Sequence, residues 1–188
     1  MLRRLGKFRY CAPFLLFALT SILASASPGS PAKPATQTTK GSLPSDLVSY
    51  FAGNWTGKGA FAKSGKELAS DYSFVPDIEN QCLVVHQKEK PPNDYEFVAL
   101  WSVNADSGRL VMLLVSNHGS GASVLHASGW QNGKLTFQTV PENPSHLTLE
   151  RFAFQRDSST AFHTMYEWSS DGGKTWNVGD RQSFTKTS

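Results

Sequence analysis

The sequence predicts an all-β protein: an antiparallel up-and-down β-barrel of about ten strands, opening with a short N-terminal helix. Apolar and aromatic runs of strand length recur from residue 55 to residue 185, and segments rich in Gly, Asn, Asp and Ser separate them. No helical pattern interrupts these runs, so consecutive strands are expected to join as hairpins. A sheet of this width leaves no bare edge when it closes, which favours a barrel over a sandwich.

The helix is predicted at 44–51, where Leu47, Val48 and Phe51 share one face at helical spacing. The strand at 109–116 is apolar on both faces, so we expect the helix to cover its outer face. The predicted strands are 55–61, 71–75, 82–88, 95–103, 109–116, 122–130, 134–140, 147–156, 161–168 and 175–185.

Residues 1–26 predict a cleavable secretory signal peptide. Four basic residues and no acidic residue precede position 10, an apolar stretch follows at 14–24, and Ala24-Ser25-Ala26 offers a small-x-small cleavage pattern. The apolar stretch is too short for a stable transmembrane helix, which disfavours a retained anchor. Arg3-Arg4 leaves twin-arginine export open as an alternative. We therefore expect an exported protein, periplasmic or extracellular, without a stable membrane span after cleavage.

Cleavage would change the charge of the chain. It would remove four of the eighteen Lys and Arg residues and none of the fifteen Asp and Glu residues, leaving fourteen against fifteen, a net charge of −1. The basic isoelectric point belongs to the precursor, so it gives no support for nucleic acid or an anionic membrane as partner. Only Cys82 remains, so no intrachain disulfide can form. The oligomeric state stays open.

The chain after the signal peptide divides into two parts. Residues 27–42 are rich in Pro, Ser and Thr and have no large apolar side chain, which predicts a flexible tether. Residues 43–188 have the length of one ordinary domain and leave little room for a second.

A glycine-rich motif opens the first predicted strand directly after the helix, at Gly53-Asn54-Trp55-Thr56-Gly57-Lys58-Gly59. It resembles the entrance to lipocalin-like, or calycin, barrels and, more closely, nitrobindin-type ten-stranded barrels and related uncharacterised bacterial barrel families. The resemblance extends from Leu47 to Lys186 and includes the segments 129–135 and 170–176.

This resemblance implies that Trp55 closes the base of the barrel and that a basic residue of the last strand, Arg181 or Lys186, packs over it. Physically, a tryptophan is a large apolar plug, and strand glycines allow tight bending and close strand approach. We therefore interpret Trp55 and the three motif glycines as structural. Those glycines are Gly53, Gly57 and Gly59.

The segment 169–176 satisfies the pattern S-x-D-x-G-x-T-W, which is repeated in sialidase-type propellers. Asp171 can accept hydrogen bonds from its own turn, while Gly172 and Gly173 permit positive φ. A propeller needs several copies and a much longer chain. The single copy, ending at Trp176, is therefore interpreted as a structural turn without sialidase activity.

The sequence offers little support for a cofactor or a catalytic site. Nitrobindins bind haem, but the resemblance implies haem here only if an axial histidine lies on a suitable strand, and the last strand has none. No cofactor and no metal site are therefore predicted, with haem a disfavoured alternative. Cys82 is interpreted as a buried strand residue. Glu150 and Glu167 could both point inward as an acid/base pair, whereas carboxylates on strands usually face water. The histidines lie elsewhere, at His86, His118, His126, His146 and His163.

The leading functional hypothesis is an exported protein that holds an apolar or amphipathic small molecule in its barrel, with no catalytic residue identified. A filled barrel that acts as an interaction or envelope-associated module is the second hypothesis, and a small-molecule enzyme is the third. Candidate wall residues come from aromatic-rich strands, where an ordinary core role is the alternative. They are Phe97 with Trp101, His126 with Trp130, and Tyr166 with Trp168.

Overall fold

A computed structural model describes residues 41–119, 121–140 and 147–187 of the 188-residue chain. The predicted signal peptide at 1–26 lies outside the described residues, as does the predicted tether apart from its last two positions. In the described ranges, no helix combines the length and the apolar character needed to cross a membrane.

Ten antiparallel strands form a closed barrel, so the predicted fold class is confirmed. Each strand pairs with its neighbours in sequence, and the first pairs with the last. All ten predicted strands and the predicted helix are present. The elements are α1 Ser45–Phe51, β1 Gly53–Phe61, β2 Glu67–Asp77, β3 Cys82–Glu89, β4 Glu96–Val103, β5 Leu110–Ser116, β6 Ala122–Ala127, β7 Lys134–Thr139, β8 Leu149–Ser158, β9 Ala161–Ser169 and β10 Asn177–Thr187.

Strand β2 is longer than predicted, at Glu67–Asp77 instead of 71–75, whereas β6 is shorter and ends at Ala127 rather than at residue 130. Gly129 has φ +93°, a left-handed conformation that turns the chain out of the strand. Asn132 and Gly133 then adopt positive φ at the tip of a tight hairpin. Trp130 consequently lies in a connection and not on a strand.

Helix α1 closes one end of the barrel. Its face of Leu47, Val48 and Phe51 is buried, and the Phe51 ring lies 4.8 Å from Phe74 and 5.1 Å from Trp101 between centroids. Those rings belong to inward-facing positions of different strands, so the helix enters the barrel end. A barrel end surrounds an apolar helix face on all sides, whereas the outside of a sheet covers only one.

The expectation that α1 covers the outer face of the strand at 109–116 is therefore wrong. Leu113 is 42% exposed and Val115 is 50% exposed on that face of β5. Leu110, Met112 and Leu114 supply the buried inner face of the same strand. Only this inner face is enclosed.

The half of the barrel next to α1, called the closed half below, is filled by aromatic rings. Strand alternation directs these side chains inward, and the rings contact one another mostly edge to face. Each is at most 1% exposed: Trp55, Phe74, Trp101, Phe137, Phe154, Phe162 and Phe184.

Trp55 sits at the base of the closed half, as the resemblance implies. Its indole Nε1 donates a hydrogen bond to the carbonyl oxygen of Phe51 at 2.8 Å, which ties β1 to the helix. Lys186 Nζ lies 5.1 Å from the centroid of the Trp55 ring and donates to the Tyr50 carbonyl oxygen at 3.1 Å. Lys186 therefore takes the position that sequence reasoning left open between two residues, whereas Arg181 is exposed on the outer face.

Two glycines of β1 leave room inside the barrel for atoms of the neighbouring strand β10. A Cβ on Gly57 would overlap the ring of Phe184, and a Cβ on Gly59 would overlap the backbone carbonyl oxygen of Arg181. Both glycines face inward, in register with Trp55. Gly53, at φ +114°, makes the turn from α1 into β1. These positions give each of the three glycines a structural role, in strand approach or in a turn.

The Asp171 turn connects β9 to β10. Asp171 Oδ1 accepts hydrogen bonds from Ser169 Oγ at 2.7 Å and from the Thr175 backbone N–H at 2.9 Å, while Oδ2 accepts from Thr175 Oγ1 at 2.6 Å. The Thr175 and Ser169 hydrogen bonds hold the pKa of this carboxyl far below its usual range. Gly172 and Gly173 both have positive φ. These hydrogen bonds and backbone conformations make the segment a self-contained turn.

Candidate functional site

The half of the barrel opposite α1, called the open half below, contains a cavity of about 1000 Å³. It opens between the loops that join the strands at that end, and its wall combines aromatic rings with polar side chains. Its volume is at the upper end of the range for small-molecule sites. The open half is the candidate functional site.

Aromatic side chains form a connected wall inside the cavity. Between ring centroids, Phe97 lies 5.9 Å from Tyr72, 6.2 Å from Tyr95 and 6.2 Å from Phe152. The Phe152 ring continues to Tyr166 at 4.9 Å. Strands β2, β4, β8 and β9 therefore each contribute a ring, and Tyr95 stands just before β4. Such a wall offers apolar surface and π faces to a ligand.

Carboxyl groups face the same cavity. Glu89 ends β3, Asp180 lies near the start of β10, and Glu150 lies near the start of β8, all at the open end. The Tyr166 hydroxyl donates to Glu150 Oε1 at 3.0 Å. Desolvation raises the pKa of Tyr166, a shift that neighbouring Glu150 reinforces.

Burial also raises the pKa values of Glu89 and Asp180. Desolvation is the main cause for both carboxyls, and the charge of Asp180 raises the pKa of Glu89 further. A hydrogen bond from Gln182 partly opposes the shift at Asp180. In the empty cavity, both groups therefore hold their protons to a higher pH than an exposed carboxyl does.

A hydrogen-bond chain crosses the bare glycines of β1 and orients Asp180. The Ser70 hydroxyl donates to Gln182 Oε1, and Gln182 Nε2 donates to Asp180 Oδ1 at 3.2 Å. Ser70 belongs to β2 and Gln182 to β10, the two strands that flank β1. Gly57 and Gly59 have no side chain that would separate them. The glycine motif thus positions a polar group of the site.

Two polar side chains of β3 are almost fully buried in the cavity wall. Gln87 is 3% exposed and Glu89 is 7% exposed. Among the described residues, none donates a hydrogen bond to Gln87 Oε1, and none donates to the Glu89 carboxylate or forms an ion pair with it. Buried acceptors are normally satisfied, so these groups mark the cavity as a place where a donor would be stabilised.

Sequence reasoning missed this pair because polar strand residues are usually assigned to the solvent face. The signal was the alternation of β3, in which Leu83, Val85, Gln87 and Glu89 occupy the same face. Two buried aliphatic residues at the start of that face predict that the two polar residues also point inward.

Charged groups at the cavity mouth are paired with neighbours. Lys66 Nζ donates to Asn93 Oδ1 at 2.8 Å, and His118 Nε2 lies 3.2 Å from Asp94 Oδ1. Lys66 and the His118–Asp94 pair join the loops around the opening. They lie at the rim, where the charges of Lys66 and His118 partly oppose the rise in the pKa of Glu89.

Two of the six predicted wall residues line the cavity, namely Phe97 and Tyr166. Trp101 instead belongs to the closed half, where it is 1% exposed. Trp168 stands at the open end of β9, is 40% exposed and is not part of the cavity lining. Alternation assigns a side chain to a face, but it does not say how far along the barrel the void extends.

The other two predicted wall residues lie elsewhere. His126 faces outward, because Leu125 and Ala127 take the buried inner positions on either side of it. Trp130 lies under the barrel, stacked on Phe51 at 5.6 Å between centroids, with the Arg156 guanidinium 3.8 Å from its ring centroid. Neither lines the cavity.

Glu150 and Glu167 lie on opposite faces of the sheet, so they do not form the acid/base pair that the sequence left open. Glu167 is held on the outer side by Arg151, with Nε to Oε2 at 2.6 Å and Nη2 to Oε1 at 2.9 Å. The Arg151 guanidinium also stacks 4.0 Å from the Trp176 ring centroid. Trp176 in turn donates to the carbonyl oxygen of Gly173 at 3.0 Å. This cluster fixes the Asp171 turn to the barrel wall.

Cys82 is buried, and desolvation raises the pKa of its thiol. An activated nucleophile needs the opposite shift. Across the described ranges, no three His, Cys, Asp or Glu side chains are placed to hold a metal ion.

A comparison of the chain with models of known protein families and with curated proteins finds no match. The candidate site is therefore interpreted from its own geometry.

Proposed function

We propose that this chain is an exported small-molecule-binding protein whose amphipathic ligand occupies the cavity of the open half. The observation that carries the proposal is the division of the barrel: aromatic side chains fill the closed half, while about 1000 Å³ stays empty in the other half. A barrel that needs only to be stable gains by filling its interior. The predicted signal peptide supports export.

The lining of the cavity supports an amphipathic ligand over a purely apolar one. Aromatic rings of Phe97 and Phe152 offer apolar contact, whereas Gln87 and Glu89 are buried acceptors. A buried polar group without a partner costs free energy, and a ligand with matching donors removes that cost. Polar and apolar side chains contribute comparably to the lining, which suits a ligand that has both kinds of surface.

The test uses the full-length gene expressed in an exporting bacterial host and the protein purified without denaturant. Native mass spectrometry looks for a retained small molecule, and N-phenyl-1-naphthylamine serves as a neutral fluorescent probe. We expect the probe to bind with increased fluorescence, because its rings fit the aromatic wall. Ser116→Trp places an indole in the cavity from β5 and is expected to weaken probe binding at least about tenfold.

Ser183→Trp is the matched control, since Ser183 is exposed on the outer face of β10. It should fold with an indole of the same size and bind the probe like the unmodified protein. Equal binding by both variants would place the probe outside the cavity. No probe binding and no retained mass in the unmodified protein would refute the proposed function.

A further inference from the structure

Acidic groups outnumber basic groups in the described lining of the cavity. Its only described basic groups are Lys66 and His118, both at the mouth. Four carboxyls face them: Glu89, Asp94, Glu150 and Asp180.

The four carboxyls differ in what holds them. Asp94 lies beside His118, and Glu150 accepts a hydrogen bond from Tyr166. Asp180 receives only the carboxamide N–H of Gln182, and no described cation contacts Glu89 or Asp180. Among the described residues, neither Glu89 nor Asp180 has a counter-ion in direct contact, although Lys66 and His118 act on Glu89 from the mouth. A positive charge in the cavity would supply one.

Gln87 provides a second observation. It is 3% exposed, it lies in the cavity wall one inward position before Glu89, and its Oε1 accepts no hydrogen bond from a described residue. This oxygen has no exposed surface of its own, so the carboxamide must turn before it can accept a hydrogen bond from a ligand. Carboxamide oxygen and carboxylate oxygens are all acceptors. The wall near the end of β3 therefore contains acceptors that lack hydrogen-bond donors among the described residues. An ammonium group carries three N–H donors and no acceptor, which matches these acceptors.

The aromatic wall adds a favourable surface for the same charge. Tyr72 contacts Phe97, and Phe97 contacts Tyr95 and Phe152, so these rings line the same cavity as the carboxyls. A cation near such rings is stabilised by their quadrupoles, and the effect grows when water is excluded. An anion would instead meet both carboxylates and the negative faces of the rings.

We propose that the ligand of the open half is an organic amine, with its ammonium group against Glu89 and Asp180 and its apolar part against the aromatic wall. This inference rests on the proposed function, because it specifies the chemical class of a ligand for the same cavity. It assigns different roles to two parts of the wall: the carboxyls select charge, and the rings of Phe97 and Phe152 bind the carbon skeleton.

The test compares three probes that share an indole ring and differ at the end of the side chain. Tryptamine carries an ammonium group, tryptophol a hydroxyl and indole-3-propionate a carboxylate. Isothermal titration calorimetry at pH 8 measures the three dissociation constants on the full chain. Because a hydrogen bond to a charged group is worth more than a neutral one, tryptamine should bind at least about tenfold more tightly than tryptophol. Indole-3-propionate should bind most weakly.

Glu89→Gln and Asp180→Asn keep the shape of each side chain and remove its charge. Each should reduce tryptamine affinity by about tenfold at pH 8 and leave tryptophol affinity nearly unchanged. Glu96→Gln is the matched control, since Glu96 is exposed on the outer face and paired with Lys88 at 3.0 Å. It should change none of the three affinities.

The preference for tryptamine should also fall with pH. The charged groups that face Glu89 from neighbouring elements are Asp180, Asp94, Lys66 and His118. As the two inner carboxyls take up protons, the cavity loses the negative charge that selects the amine. At pH 4 we expect tryptamine and tryptophol to bind with similar affinity.

The outcomes separate the two proposals. Equal binding of tryptamine and tryptophol at pH 8, with loss of both in Ser116→Trp, would overturn the amine class and leave the binding function standing. Tightest binding by indole-3-propionate would also overturn it. If none of the three indoles and no N-phenyl-1-naphthylamine binds, the proposed function itself fails.

Discussion

The closed and open halves of the barrel are made from the same ten strands, yet they differ in what occupies the interior. In the closed half the inward positions carry aromatic rings packed with aliphatic side chains around Phe51 and Trp55. In the open half the inward positions are shared between rings and polar groups, and a cavity of about 1000 Å³ remains. One half supplies stability, and the other can give up packing for recognition.

Strand β8 passes through both halves and displays this difference within one element. Phe154 faces inward in the closed half and is 1% exposed, whereas Phe152, two residues earlier, faces inward against the cavity. The same residue type on the same strand face therefore has two different surroundings. Comparing the two separates the energetic role of each half.

The largest effect is expected from Phe154→Ala. The substitution removes a ring from a sealed core and leaves a void, so the free energy of unfolding should fall by about 3 to 5 kcal/mol. Phe152→Ala should cost only about 1 to 2 kcal/mol, because its ring already borders open space and no new sealed void forms. Urea unfolding of both variants measures the difference. Equal losses would mean that the open half is packed as tightly as the closed half.

A smaller loss is expected from Gly59→Ala. A Cβ at this position meets the backbone of β10 at Arg181, which a side-chain rotation cannot relieve, so β1 and β10 must move apart. We expect a loss of about 2 to 3 kcal/mol in the free energy of unfolding. Separation of these strands would also disturb Gln182 and with it the orientation of Asp180. Tryptamine binding should weaken beyond the effect on folding.

Gly121→Ala serves as the control for that substitution. A Cβ at Gly121, near the cavity mouth, has no neighbour within 4 Å. Its effect on unfolding should stay within about 0.5 kcal/mol. A Gly59→Ala variant as stable as Gly121→Ala would show that strand approach at β1 is not limiting.

Much of the closed half could be predicted from the sequence, because its signals are local. Helical spacing identified the apolar face of α1, period-two alternation placed Phe97 and Trp101 on one face of β4, and the glycines around Trp55 marked the start of β1. Each signal follows from the backbone geometry of a single element. The basic residue that packs over Trp55 was expected to be Arg181 or Lys186. Alternation along β10 turns Lys186 inward and Arg181 outward, which decides between them.

The open half was predicted less completely, because a cavity depends on several strands together. Aromatic type alone selected Trp101, Trp130 and Trp168, whereas position along the barrel axis decides which rings border the void. Gln87 and Glu89 were missed since polarity alone suggested solvent. The alternation of β3 identifies their face, but only the closed barrel shows that this face encloses empty space.

The smallest effect, and the only expected gain in stability, is that of Glu89→Gln. Burial raises the pKa of Glu89 in the folded protein above its unfolded value. The carboxyl therefore favours the folded state at low pH, where it is protonated, and this contribution is lost as the pH rises through the raised pKa. At pH 8 the empty cavity holds a desolvated charge that glutamine removes.

The melting temperature of Glu89→Gln in the absence of ligand should therefore exceed that of the unmodified protein by about 3 °C at pH 8 and equal it near pH 3. Glu96→Gln, on the exposed outer face, should show no such gain at pH 8. Differential scanning calorimetry across this range measures both. A stabilised variant that has lost tryptamine affinity would show that Glu89 is retained at the expense of folding stability, as expected for a binding group. A destabilised variant at pH 8 would instead assign Glu89 a structural role in the barrel wall.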